Sequence, residues 1–325
     1  QKSMRAIGPT VRRMTSKSQI SDQDEVADEE EQKIRTMIRN QLVGQKFKIM
    51  FVFFQVILLF QEVYLIQYPP PYIDFLALFS FIELDIFTVA KMDCAISGGF
   101  LSKLLFSTIL PIGISLLLFV GWIVSRTKFG NDSRQFKIIE NTLINLFIIL
   151  TYVLFPSLCA TIFSSFVCED FDDGSSYLRA DYSVDCDSSD YTSIYSLAII
   201  MIFVYPIGIP LMYLIMLYKN REKLDPQKFF TEMSLGQAVL KRERDVNHLK
   251  FLYDAFLPEY YWTEVMECLR KLLLTGFVVF FYEGSALQLL FGLTISFLFL
   301  SLYAHLNPYL MSSNNSFAIF VHFNI

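Results

Sequence analysis

Apolar runs of roughly 20 residues recur along this chain, each about the length an α-helix needs to cross a ~30 Å hydrocarbon layer. They cover residues 47–67, 102–125, 138–166, 194–218, 263–282 and 286–305, and a seventh begins at Phe317 and runs to Ile325. A soluble chain would show amphipathic periods with one polar face instead. So many runs exclude a cleaved secretory leader as the source of the hydrophobicity, which reaches 54% of the 325 residues. The expected fold is all-α, a polytopic helical membrane protein with about seven transmembrane helices, the last truncated. Residues 47–325 make up the membrane domain, and 1–46 are a charged tail or linker.

Charge gives the expected orientation. With a cytosolic N-terminus and one crossing per run, residues 1–46, 126–137 and 219–262 face the cytosol and hold 21 of the 27 Lys and Arg. The opposite side keeps Lys91, Lys103 and Arg179, while Lys48, Arg270 and Lys271 fall in or at the ends of apolar runs. This is the positive-inside asymmetry.

The tail changes sign, from a basic stretch with Arg12, Arg13 and Lys17 to DQDEVADEEE with seven carboxylates. Such blocks are solvated as a rule, and Ser18 and Ser21 offer phosphorylation sites beside the acids. The abrupt start and the cut seventh run suggest a piece of a longer protein. After the first run, YPPPYIDFLALFSFIELDIF is apolar but carries Asp74, Glu83 and Asp85, and three prolines break any helix entering it. It reads either as an interfacial, partly re-entrant segment or as a packed extracellular cap.

The loop between the third and fourth runs is strongly acidic. Glu169, Asp170, Asp172, Asp173, Asp181 and Asp185, with Asp187 and Asp190, outweigh Arg179 and leave a formal charge of −7. Its DFDDG run departs from an EF-hand in glycine position and lacks the closing glutamate. Either it is a solvated turn, or it draws cations toward a pore mouth and weakly binds calcium, the one cofactor reading the chain offers. Cys168 and Cys186 lie in this loop, on the side where oxidation allows a disulfide, and Cys94 shares that side. Joining the first two would close about 19 residues and stabilise the loop by ~3 kcal/mol. Cys159 and Cys268 fall in apolar runs and read as buried thiols.

Residues 219–262 read as a cytosolic basic helical loop. Its helix starts near Ser234, which forms a capping box with Gln237, and KRER at 241–244 suits it to an anionic leaflet or to plain solvent. No nucleotide fingerprint, nucleophile elbow, zinc spacing or phosphate loop occurs, so nothing points to an enzyme or to nucleic acid.

Chemistry is therefore sought in polar residues within the apolar runs. Glu140, Asn141 and Asn145 begin the third run. In the fifth, Glu267 is spaced to neutralise Arg270 at i+3 and Lys271 at i+4, near the inner interface. The fourth run contains VYPIGIPLMY, in which Pro206 and Pro210 deny hydrogen bonds to the carbonyls of Ile202 and Pro206, and Gly208 admits a close backbone. It is a static kink or a gate.

Several stretches taken together resemble one family: KFKIMFVFFQVI, KLLFSTILPI, CEDFDDGSSYLRADYSVDC, YPIGIPLMYLIMLYKNREKL and FLYDAFLPEYYWTEVMECLRKLLLTG. The chain is similar over residues 46–325 to the membrane region of protist and algal transient-receptor-potential-like proteins, which often follow cysteine-rich extracellular repeats. That resemblance implies a Cys168–Cys186 disulfide and a broken helix at Pro206, Gly208 and Pro210. It also implies a cation channel, mechanosensor or surface receptor in a plasma or ciliary membrane. Lipids, further copies of the chain or a larger ciliary assembly are the expected partners. One departure stands out: only Glu283, Gly284 and Ser285 join the fifth and sixth runs, too few for a pore helix and filter. A pore would lie elsewhere in the bundle. The alternative is a non-conducting receptor or membrane anchor.

Overall fold

The computed structural model describes residues 43–60, 63–64, 68–82, 99–130, 133–229, 235–281 and 285–325. The readings placed on the tail up to residue 42, Glu83, Asp85, Lys91, Cys94, Ser234 and the Glu283–Gly284 turn fall outside them. Residues Lys46–Ile325 form one compact unit.

Among the described residues, five helices are long and apolar enough to cross a membrane: Val43–Phe60 (α1), Gly99–Phe129 (α3), Arg134–Ser164 (α4), Ser189–Lys219 and Ala286–Leu306 (α9). The chain is thus a helical, membrane-embedded protein. Two of the seven expected crossings differ in form. The last run forms the 12-residue helix Ser312–Phe323 (α10), which packs against α9. The fifth is split into the α-helix Thr263–Lys271 (α8), a π turn over Leu272–Gly276 and a 3₁₀ turn over Phe277–Phe280. The wide turn brings Gly276 against α4, where an added Cβ would sit 2.7 Å from the ring of Phe163. Only glycine admits that approach.

Polar residues set the helix ends. Ser133, Ser188 and Ser285 each accept a hydrogen bond from the first-turn N–H two or three residues on. Asn307 closes α9 in the left-handed conformation at φ 46°. Pro111 and Pro156 sit inside α3 and α4 without ending either helix. The carbonyl three residues before each proline accepts a side chain from another helix: Tyr205 Oη donates to Thr108 O at 2.5 Å, and Gln55 Nε2 donates to Val153 O at 2.8 Å. These bonds tie the proline-containing turns of α3 and α4 to other spans.

The segment after α1 folds back along it. Pro70–Ala77 (α2) and the 3₁₀ turn Ser80–Ile82 bury Leu76 and Ile82 against Phe54, Ile57 and Leu58, and Phe79 stacks on Phe54 at 3.9 Å. These contacts fall on the C-terminal half of α1.

The main core lies where α3, α4, the fourth span and the fifth segment meet, with Leu104, Ile148, Phe155, Cys159, Ile162, Ala198, Tyr213 and Val278 buried together. Leu287, Leu290, Leu293 and Phe297 of α9 stay exposed, as a lipid-facing helix side would.

Candidate functional site

The fourth span is interrupted where the prolines predict. It divides into Ser189–Val204 (α5) and Gly208–Lys219 (α6), with Tyr205–Ile207 between them. The Ile202 carbonyl that Pro206 cannot bond accepts from Ile207 N instead, at 3.1 Å. Gly208 is needed by its own helix: a Cβ there would lie 2.8 Å from the Phe203 carbonyl oxygen. The expected close backbone is therefore the preceding turn, and the break is a locally bonded wide turn.

The acidic loop folds as a hairpin, Cys168–Asp170 (β1) antiparallel to Ser176–Leu178 (β2), closed by a disulfide between Cys168 and Cys186. Several of its carboxylates are bonded within the loop. Asp173 accepts from Ser175 N and Oγ, Asp185 accepts from Asp187 N, and Glu169 takes the Tyr182 hydroxyl. The Ser175 hydroxyl, followed by its N–H, holds the Asp173 carboxyl below its usual range. Asp181 reaches further: its Oδ2 accepts from Phe100 N at 2.8 Å and so caps α3. Burial works against its charge, but the Ser183 hydroxyl, Phe100 N–H and Ser183 N–H outweigh that and hold its carboxyl low. Among the described residues no three His, Cys, Asp or Glu side chains gather as a metal site. Asp170 and Asp172 point to solvent.

The fifth segment carries the densest chemistry. Spacings of three and four put Glu264, Glu267, Cys268 and Lys271 on one side of α8, and that side faces the protein interior. Glu264 is 1% exposed, Arg270 2% and Lys271 0%, so these charges do not reach out to water as snorkelling would have them. Glu267 Oε2 accepts from Arg270 Nε and Nη2 at 3.1 and 2.9 Å. The expected Glu267–Lys271 partnership is replaced. Lys271 Nζ lies 3.7 Å above the ring centre of Tyr152 and 3.5 Å from Gln55 Oε1. Lys48 of α1 takes the other carboxylate, with Nζ 2.6 Å from Glu264 Oε2 and 2.9 Å from the Phe251 carbonyl. The same Lys48 Nζ is 4.2 Å from the Phe251 ring centre and 5.0 Å from that of Tyr152. On the far side, His322 Nε2 of α10 stands 3.6 Å from Glu267 Oε1, and its ring lies 4.4 Å from that of Tyr303.

Lys48, Arg270 and Lys271 gather around Glu264 and Glu267, with Lys48 paired to the first and Arg270 to the second. Lys271 shares the buried side of α8 with Glu264 and Glu267, and the groups that meet its Nζ are an aromatic face and an amide oxygen. Three polar atoms of the node, Glu264 Oε1, Glu267 Oε1 and Arg270 Nη1, find no hydrogen-bond partner among the described residues. The node is dense and nearly dry, and its hydrogen bonding is incomplete.

Glu140 lies elsewhere: its Oε1 accepts from Trp122 Nε1 at 3.1 Å, joining α3 to α4. Asn145 donates to Asn141 O and to Asn247 O. In the 219–262 segment, Leu235–Asp245 (α7) does not present KRER as a basic stripe. Arg242 points inward at 1% exposure, and Glu243 pairs with Lys250. Sequence reasoning did not assign Lys48, Gln55, Tyr152, Arg242 or His322 to any site. An ionisable Lys48 at the edge of the first apolar run was the available signal, but its partner lies 216 residues away.

The chain matches no family model, no curated protein and no solved structure.

Proposed function

We propose that this chain is the membrane region of a cation channel or mechanosensory protein whose path is not of the pore-loop type. The observation that carries this reading is the node of buried Glu264, Glu267, Arg270 and Lys271 with the half-buried Lys48, set beside a π turn. Ionised side chains inside a membrane bundle are costly and mark ion paths and gates. Interrupted helices supply the discrete alternative geometries that gating requires. The break at Tyr205–Ile207 and the wide turn at Leu272–Gly276 are the two candidates. In this reading the conformation described is closed, with Lys48–Glu264 and Glu267–Arg270 as its locks. The hairpin end is extracellular and the 219–262 end cytosolic, in a plasma or ciliary membrane, and the resemblance to transient-receptor-potential-like proteins supplies the cation class.

The mutual pairing of the charges favours a second reading, a non-conducting receptor or anchor in which the node only fixes helix register. Ion flux in liposomes containing the full-length protein, under voltage, tension and calcium, separates the two. Conduction that rises in Glu264→Gln, where Lys48 is released, supports the channel. Absence of flux in both proteins under every stimulus overturns it.

A further inference from the structure

Arg242 is a buried cation that the node does not use. Its Nη2 donates to the Phe256 carbonyl at 3.0 Å, its guanidinium lies 4.7 Å from the Tyr253 ring centre, and Tyr253 Oη donates back to Arg242 O at 3.3 Å. Its Nε and Nη1 have no hydrogen-bond partner among the described residues. The residue it holds, Phe256, sits opposite Tyr309 in a short antiparallel bridge. There Leu257 N donates to Pro308 O at 2.9 Å and Leu310 N to Ala255 O at 3.0 Å. That bridge clamps the turn between α9 and α10. From the other side Asn315 of α10 clamps the same turn, accepting from Tyr309 N at 2.9 Å and donating to Tyr309 O at 3.1 Å. Tyr309 packs on Tyr303, Tyr303 on His322, and His322 faces Glu267.

We infer that α7 is a control element for the buried ion-pair node, acting through Arg242 and the 255–257/308–310 bridge on α10 and so on Glu267. Every link is a hydrogen bond, ring contact or charge contact between named groups, and the chain joins an element outside the apolar spans to the charges inside them. The bridge is short, one residue pair with two backbone bonds, so it opens as a unit. Arg242 holds it by a single N–H and a ring face, with Asp225 and Asp254 as the carboxylates near its charge and two further N–H groups buried and unbonded, so a displacement of α7 would shift the one bond that reaches the bridge. What acts on α7 would thereby bias α10 and the Glu267–Arg270 pair. This rests on the node being the gate only for its consequence, since the coupling itself is a property of the fold.

Amide hydrogen exchange of the full chain in nanodiscs tests it without any conduction readout, so coupling and conduction fail separately. Arg242→Gln should speed exchange at Leu257 and Leu310 and through Ser312–Phe323 by about 5- to 150-fold, the span of ordinary coupling energies. The hairpin amides of Leu178 and Cys186 should be unchanged. Asn315→Ala, entering from the opposite end, should speed exchange at Val239–Val246 because coupling is reciprocal. The double variant should resemble the stronger single one. Change confined to the mutated element, additive effects, or protection lost in the hairpin as well in every variant would each overturn the inference.

Discussion

The hairpin at 168–186 and the fifth segment at 263–280 hold the same kinds of side chain and use them in opposite ways. In the hairpin, Asp173, Asp181 and Asp185 find donors two residues on, in Ser175, Ser183 and Asp187, and stay in contact with water. In α8 the carboxylates are sealed from water, and Glu264 Oε2 is taken by a lysine from the other end of the chain. A charge in water with a local partner costs little and gains little. A charge in a dry core is held only by its partner, and removing that partner exposes the full desolvation cost. The two regions should therefore respond very differently to the same substitution.

The largest effect is expected at Glu267. Glu267→Ala leaves Arg270 buried without its carboxylate and should cost about 3–5 kcal/mol of stability, read as a lowered unfolding midpoint in detergent micelles. Adding Arg270→Met should recover most of that loss, because the strandedness of the cation rather than the absence of the pair is what costs. Glu169→Ala in the hairpin should stay within the ~0.5 kcal/mol of ordinary surface changes. Equal effects at the two sites would dissolve the contrast.

How far the sequence was legible follows the same division. Apolar length alone marks α1, α3, α4, the fourth span and α9, because spanning a bilayer is a local requirement of about 20 residues. The helix break at Pro206 is also local, since a missing N–H acts within one turn. The fifth run misleads because length and hydropathy say nothing about helical pitch. A π turn there depends on Gly276 meeting Phe163, more than a hundred residues earlier. The Glu267–Arg270 pair was readable as an i to i+3 spacing, whereas Lys271 left its expected partner for Tyr152 and Gln55, a choice made by packing between three helices. Arg242 shows the same limit. KRER reads as a basic surface, and only the fold turns its second residue inward.

A middle-sized effect is expected where the hairpin is closed covalently. Cys168→Ser removes the link to Cys186 and should cost ~3 kcal/mol by the chain-entropy estimate for this loop length. The hairpin and α8 contribute Leu178 and Cys268 to one apolar core, but the charges of the node are held by Lys48 and Arg270 rather than by the hairpin, so exchange at α8 amides should not change. Faster exchange in α8 would mean that the two regions share stability after all.

The smallest effect sharpens the comparison most, because it falls where the hairpin touches a span. Asp181 is the hairpin carboxylate that leaves its own loop, accepting from Phe100 N at the start of α3, where an added Cβ on Gly99 would already lie 3.0 Å from its Oδ2. Its carboxyl is held low in the folded protein. A depressed folded value means the unfolded chain binds its proton first as pH falls. The stabilisation is therefore complete above the ordinary aspartate value of ~3.9 and is lost as pH drops through the folded one. Asp181→Asn should cost about 1 kcal/mol at neutral pH, discounted for its contact with solvent, and should flatten that acid limb. Exchange at Phe100 should rise in the variant at neutral pH and in the parent only in acid. If the parent's α3 cap is insensitive to acid, the cap is set by the Gly99 turn alone and the hairpin's charge plays no part in docking it.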